Sequence, residues 1–578
     1  MKSSAELRTL LRSVDHKSYP AYKSLAGMYQ FPSFYLSIDH VQGDPFASPS
    51  ALHAEIPMAR TGFPQEYYQR DCSRIALQDF LTRQLSRQFE QYNFKAKGSG
   101  KSGLISISRC GQEVLERSAC QIRENRLIVR FHVGFPAFGR TINAGELEKI
   151  LFDFLPRCID DSLFYARTDK KKVQEAVFLA EDQEAVRQLL AENHLAAFVA
   201  DGSVLPRKSG VSELPLAGSV PFASPQSLRQ TFSLPHRGDI SGMAIPQGIT
   251  LIVGGGYHGK STLLEAIQSG VYNHIAGDGR EFVITDHTAV KLRAEDGRSV
   301  RNVDISLFIN DLPNKKDTVS FTTEDASGST SQAAGVIESM EAGSRLFLID
   351  EDTSATNFMV RDDFMQEVIS RKKEPITPFI ERVGDLYRQA GISTIMVAGS
   401  SGAFFYVADH ILQMDCYRTL DITDRVKELC KTHSAPRLQA PGFALPREGR
   451  TLPKFKRSAA PSRRGSQNPR ALDRGGKYEH MKVKASGLES FSLDRETVNV
   501  RYLEQLADTE QVNALAYLLR FALEQVQDGQ RSVQETAQII MDTLDRQGWE
   551  AFCSSYVPCG LAVPRVQEVF ACLNRFRG

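Results

Sequence analysis

The spacing of apolar positions divides the chain into segments with a period of two and segments with a period near 3.6. Leu104-Ile105-Ser106-Ile107 and Leu127-Ile128-Val129-Arg130-Phe131 read as strands and Ile75 to Phe89 as a helix, which predicts an α+β domain over residues 1–220. A stretch rich in proline, serine and glycine, Val204 to Pro225, closes it. Across 221–430, short apolar runs (Thr250 to Val253, Leu346 to Asp350, Ser393 to Val397) alternate with helical segments (Lys260 to Gln268, Thr330 to Glu341, Phe379 to Gln389). Continuous apolar runs suit strands covered on both faces, so this alternation predicts a parallel α/β sheet. Residues 431–484 carry no such period. Residues 485–578 return to helix: Asp508 can cap Gln511 to Val526, and Ser532 with Glu535 makes a capping box for a helix ending near Gly548. The expected fold class is α/β, a central core flanked by an N-terminal α+β domain and a mostly helical C-terminal domain.

The strand Thr250 to Val253 runs into Gly254-Gly255-Gly256-Tyr257-His258-Gly259-Lys260-Ser261, a full GxxxxGKS phosphate loop, with Thr262 next in the helix that follows. Glycines let backbone amides close on phosphate oxygens, Lys260 reaches the terminal phosphates, and the helix N-terminus adds a partial positive charge. The Ser261 hydroxyl can ligate magnesium. A second apolar strand, Arg345 to Ile349, ends in Asp350, Glu351 and Asp352. Asp350 is placed to hold Mg²⁺ through water and Glu351 to polarise an attacking water, because phosphoryl transfer needs chiefly positioning and charge stabilisation. ATP and Mg²⁺ are the expected ligands. His258 can turn its ring to a ligand or pack the loop. Another glycine-rich run, Gly98-Ser99-Gly100-Lys101-Ser102-Gly103, imitates a phosphate loop, but Lys95 stands where the first glycine belongs and a strand follows, so a turn is expected.

Between these elements lies Ala326-Ser327-Gly328-Ser329-Thr330, and Ser327 precedes Asp350 by 23 residues. With this order and spacing the chain resembles the P-loop ATPases of the ABC class, in which an LSGGQ signature stands about that far before the magnesium aspartate. The wider pattern, including GVYNHIAGDGRE, ASGSTSQAA, DEDTSATNFMVRD, KEPITPFIERV and the final LAVPRVQEVFACLNRFRG, is similar to a family of soluble ABC-class ATPases that includes a mitochondrial RNA-processing protein. The resemblance implies a head-to-tail homodimer, with each ATP between the phosphate loop of one chain and Ser327, Gly328 and Ser329 of the other. It also implies RNA binding in a basic channel. Phe232, 28 residues before Lys260, stands about where ABC proteins place an aromatic that stacks on adenine; a core phenylalanine is the alternative. Several positions depart from the ABC pattern. Asp352 and Asn357 replace the usual D-loop proline and aspartate, Gly399 and Ser400 occupy the place of the switch histidine, and Asp304 to Ile309 lacks a Q-loop glutamine.

Charge changes this picture locally only. Lysine and arginine total 70 against 69 acidic residues, so attraction to polyanions must come from a patch. Arg447 to Lys477 supplies one, with ten basic and two acidic residues among proline, glycine and serine. It reads either as a solvated linker or as a phosphate-contacting segment, in which Arg463, Arg464, Arg470 and Arg474 are the candidate nucleic-acid contacts. The nine cysteines form no CxxC pair, which predicts free thiols, no zinc and a reducing compartment. The apolar stretch Ala514 to Val526 is interrupted by Arg520 and too short for a bilayer, and the start lacks a sustained apolar core, so a soluble, cytoplasmic protein is expected. Two functional readings stand: a slow ATPase coupled to RNA or another nucleic acid, and an ATP-stabilised clamp for RNA or protein in which hydrolysis is incidental.

Overall fold

The computed structural model describes residues 2–369, 373–436, 438, 440–447, 449–455 and 480–577. The chain divides into two compact units, each assembled from segments far apart in sequence. One contains Met1–Ala289, Asp409–Val426 and Ser555–Val563; the other contains Val290–Ala408, Lys427–Ser554 and Pro564–Gly578.

In the first unit, a mainly antiparallel sheet runs in the order Lys2–Ser3, Gly27–Gln30, Tyr35–His40, Ser50–Pro57, Arg126–Val133 and Ile105–Ser106, with Cys120–Arg123 also on Arg126–Val133. Period-two alternation buries Leu36 and Ile38, Leu52, Ala54 and Ile56, and Leu127, Val129 and Phe131. The helix Asp71–Tyr92 brings Leu77, Leu81, Leu85 and Phe89 to the same core at four-residue spacing. Phe89 meets Phe131 edge-on at 5.4 Å; truncating such a buried ring costs about 3–5 kcal/mol.

The second glycine-rich run is a turn, as its sequence predicts. Gly103 has φ of +81°, and a Cβ there would overlap the Ala96 carbonyl oxygen. No helix follows it; the chain passes into the strand Ile105–Ser106. Ser555–Val563 returns to this unit from far along the chain: Ser118 N–H donates to the Leu561 carbonyl at 2.8 Å and Val563 N–H to that of Glu116 at 2.9 Å.

A four-stranded antiparallel sheet of the same unit, ordered Arg229–Leu234, Gly238–Pro246, Leu195–Ala200 and Val283–Thr285, packs beneath the helix Lys170–Glu192. The phosphate-loop strand Ile249–Val253 pairs in parallel with His410–Asp415, which forms a hairpin with Arg418–Asp421. Every residue from Ile249 to Ile252 is buried, so the polar loop can emerge only at the carboxyl end of the strand.

In the second unit, Val290–Leu292, Leu346–Asp350 and Ser393–Val397 form parallel strands, the central one buried along its whole length. The antiparallel pair Arg298–Val303 and Phe321–Ala326 leads into the helix Gly328–Glu341. Asp304 to Ile309, in the region where the ABC pattern places its Q-loop, is largely core: Ile305, Leu307, Phe308 and Ile309 are buried, and the Phe308 ring lies 5.0 Å from that of Phe358. The C-terminal part opens with a three-stranded sheet, Val483–Ser486, Ser490–Leu493 and Glu496–Asn499, before its helices. Both predicted caps are present. Asp508 and Gln511 form a capping box on Thr509–Phe521, and Ser532 and Glu535 form another on Val533–Gln547, which stops at Gly548.

Candidate nucleotide site

The phosphate loop sits at the mouth of its strand, held from behind by the hairpin. A Cβ at Gly254, whose φ is +145°, would overlap the Met414 carbonyl oxygen, so only glycine lets the loop leave the strand this close to its neighbour. Gly255, Gly256 and Ser261 are exposed and Lys260 is half-buried. Lys260 Nζ donates to the Gly254 and Gly255 carbonyls, at 2.8 Å each, which curls the ammonium over the loop. The helix Lys260–Ser269 starts at Gly259 and buries Leu263, Leu264 and Ile267. Tyr257 is fully exposed with φ of +64°, a conformation uncommon for a bulky residue. The His258 ring packs beside Gly255 and reaches the hairpin, its Nδ1 accepting from Cys416 N–H at 3.0 Å. These residues fit a triphosphate: exposed backbone, a lysine at the tip, a hydroxyl on Ser261 and a helix N-terminus behind them.

Phe232 lies at the middle of a core cluster, 6% exposed and 5.0 Å from the Phe198 ring, so its faces are spent on packing. The core reading, and not adenine stacking, matches that placement.

In the second unit, Asp350 ends its strand nearly buried, and its Oδ1 accepts from Asp352 N–H at 3.1 Å. Glu351 is clasped. Its Oε2 accepts from Gly399 N–H at 2.7 Å and Ser400 N–H at 3.0 Å, and its Oε1 from Ser400 Oγ at 2.7 Å. Burial pushes this carboxyl up, but the Ser400 and Gly399 donors outweigh it and hold the group below the usual glutamate range. The segment lacking a switch histidine therefore grips the expected catalytic carboxylate.

The signature region is divided by exposure. Ser327 is exposed and caps its helix, accepting from Thr330 N–H at 3.4 Å. Gly328 is half-buried, with Asp296 and Ala355 close to where a Cβ would stand. Ser329 is buried and donates to Asn357 Oδ1 at 2.6 Å, so its hydroxyl points into its own unit. One turn on, Gln332 accepts from Ala355 N–H at 2.9 Å and donates to Ser354 Oγ at 3.0 Å. Three side-chain hydrogen bonds thus join the signature helix to the D-loop; the Asn357 oxygen accepts from Ser329, a role that an aspartate could also fill.

Buried ion pairs fix the far side of this helix. Arg298 meets Glu338 at 2.6 Å, Arg575 meets Glu295, and Arg450 grips Glu341 through contacts of 2.6–3.0 Å while also donating to Asn574 Oδ1. Burial raises the Glu341 carboxyl despite the Arg450 guanidinium beside it. Sequence could not reveal these pairs: Arg450 and Glu341 are 109 positions apart and no local pattern joins them.

The P-loop domain of the ABC_ATPase family matches residues 169–447, and the family described as the N-terminal part of ATPases of the ABC class matches residues 4–166. The chain belongs to the ABC class of ATPases. Residues 482–578 match the MRB1590 C-terminal domain. Among curated proteins, the uncharacterised protein MJ1628 of Methanocaldococcus jannaschii is 31% identical over 229 residues, which cover 38% of this chain and 50% of that protein. The chain thus spans about half the length of that relative. Among solved structures, MJ1267, the ATP-binding cassette of an ABC transporter in its ADP conformation, is 12% identical with a TM-score of 0.23, covering 35% of this chain and 92% of that one. CbiO1 from Clostridium perfringens, part of the ABC transporter complex cbiONQ, is 12% identical with a TM-score of 0.26, covering 41% and 92%. Among the described residues of this ABC-class chain, no helix is long and apolar enough to cross a membrane. The candidate contacts Arg463, Arg464, Arg470 and Arg474 lie outside the described residues.

Proposed function

We propose that the protein is a cytoplasmic ATPase that binds ATP with Mg²⁺ in a head-to-tail homodimer and hydrolyses it slowly, with the cycle coupled to RNA or another nucleic acid. The observation that carries the reading is the division at the signature. Ser327 stands exposed at a helix tip, while Ser329 and Gln332 bind that helix to the D-loop beneath it. An exposed helix N-terminus on a rigid base is suited to a phosphate supplied by another chain. Lys260 and the loop amides hold the triphosphate, Ser261 and Asp350 supply magnesium ligands, and Glu351 orients the water. When bound, magnesium supplies charge neutralisation at the phosphates.

The clasp on Glu351 supports slow turnover, because donors that stabilise the carboxylate make it a weaker base toward an attacking water. It also favours a second reading, an ATP-stabilised clamp on RNA or protein with little hydrolysis. The RNA component is supported by the match to the MRB1590 C-terminal domain and by the basic composition of Arg447 to Lys477. Glu351→Gln tests the enzymatic reading: ATP binding should persist while phosphate release is abolished, and unchanged release removes Glu351 from its role. RNA-stimulated turnover supports coupling; RNA retention with unstimulated turnover supports the clamp.

A further inference from the structure

His258, Asp415 and Cys416 offer an imidazole nitrogen, a carboxylate oxygen and a thiol sulfur that all lie within 4.8 Å of one another. They come from two elements far apart in sequence, the phosphate loop and the turn of the hairpin His410–Asp415/Arg418–Asp421. His258 Nδ1 stands 3.2 Å from Asp415 Oδ1. Two ligands of one tetrahedral zinc ion, each at about 2.05 Å, are separated by about 3.3 Å, a spacing this pair matches. The sulfur of the exposed Cys416 lies within 4.8 Å of both.

The turn itself is unusual. Asp415 pairs with Arg418, leaving a two-residue connection in which Cys416 and Tyr417 have φ of +46° and +67°. Such turns ordinarily take asparagine and glycine, and a tyrosine and a cysteine there cost backbone energy. That geometry is anchored on the phosphate loop by two bonds, Cys416 N–H to His258 Nδ1 and Tyr417 N–H to the His258 carbonyl at 3.2 Å; a metal on Nδ1 takes the lone pair of the first and leaves the second in place.

We propose that His258, Asp415 and Cys416 form a site for one divalent transition-metal ion of zinc-like preference, tying the phosphate loop to the hairpin beside it. Imidazole, carboxylate and thiolate are the donor types zinc takes, and three protein ligands leave the fourth position to water. Binding releases the Cys416 thiol proton to solvent, since the thiolate is the ligand. The cysteine spacing in sequence points away from zinc because the fold, and not a CxxC pair, assembles the set. The set is made of three side chains, whereas the phosphate cradle is backbone with Lys260 and Ser261, so the proposal adds to the nucleotide reading and does not depend on it.

Zn²⁺ titration of the full chain without nucleotide, followed calorimetrically, tests the proposal. Wild type should take up one ion that Cys416→Ser and His258→Ala each weaken by at least about tenfold, the loss that even outer partners of a metal cause. Co²⁺ should give a thiolate charge-transfer band that Cys416→Ser abolishes, and Zn²⁺ should slow amide exchange at 255–259 in wild type alone. Asp415→Asn, which keeps the side-chain size, guards against misfolding of the loop variant and should also weaken uptake. Equal affinity in wild type and all three variants, or no saturable uptake, overturns the assignment. Mg²⁺-ATP binding measured separately on the same samples reports on the nucleotide reading by itself.

Discussion

Replacing Ser400 by alanine should speed ATP turnover. The substitution removes the side-chain donor on Glu351, the Oγ–H bond of 2.7 Å, and leaves the backbone donors of Gly399, Ser400 and Ser401 in place. A hydrogen bond to a charged group contributes about 1.5–3 kcal/mol when well buried. Ser400 is exposed, so solvent competes for both partners and about 1 kcal/mol is the appropriate figure. If the clasp makes Glu351 a weaker base toward water, that difference lowers the barrier and raises kcat about fivefold. The carboxyl should also titrate nearer its ordinary value, because Ser400 is the largest of the influences that lower it against burial. The acid limb of the pH–rate profile would move upward. Steady-state phosphate release and the affinity for a non-hydrolysable ATP analogue, measured together, separate a kcat effect from a binding effect. A several-fold fall in kcat would mean that Ser400 serves the γ-phosphate directly, in place of the absent histidine, and would refute the clasp as a brake.

Two predictions concern stability. Arg450→Met strands Glu341 in a buried site and should cost about 3–5 kcal/mol at neutral pH, seen as a lowered unfolding midpoint. Because burial already raises the Glu341 carboxyl, its neutral form is the one the fold favours; the deficit should shrink as pH falls toward the carboxyl range, and Arg450→Met with Glu341→Leu should recover much of it. In the N-terminal sheet, burial pulls the His53 imidazole down, but Asp39 at 2.6 Å and Glu55 at 3.2 Å outweigh it and lift it to about 9. A raised histidine stabilises fully below its unfolded value of 6.5 and loses that contribution as pH rises through 9. Wild type should therefore lose up to about 3 kcal/mol relative to His53→Gln between pH 6.5 and 9.5, measured by denaturant unfolding. A pH-independent difference would contradict the pairing.

What could be read from sequence was local. The strands ending at Val253, Asp350 and Val397 and both C-terminal capping boxes fall where periodicity and caps put them, because each is decided within a few residues. The short strands Val483–Ser486, Ser490–Leu493 and Glu496–Asn499 escaped, since runs of four residues with Lys484, Glu496 and Thr497 among them carry little alternation. At the site, the loop, Asp350 and Glu351 were legible from spacing alone. Their partners were not. Ser400 is 49 positions from Glu351, and Cys416 is 158 from His258, so only the fold brings them together. For Phe232 the distance from Lys260 leaves adenine stacking and core packing both open, because it says nothing about which way a strand residue faces; a register opposite Ile240 places it in the core.

The claim that one chain grips the triphosphate while another seals it can be tested by mixing two inactive proteins. Lys260→Ala removes the phosphate-loop cation, and Ser327→Glu sets a carboxylate at the helix tip against the γ-phosphate. Each homodimer then lacks both working sites. A mixed head-to-tail dimer keeps one intact site, from the Ser327→Glu chain's loop and the Lys260→Ala chain's signature. Equimolar mixing should restore phosphate release to about a quarter of the wild-type rate, half the dimers being mixed with one of two sites active. A mixture as inactive as its components would contradict the shared site.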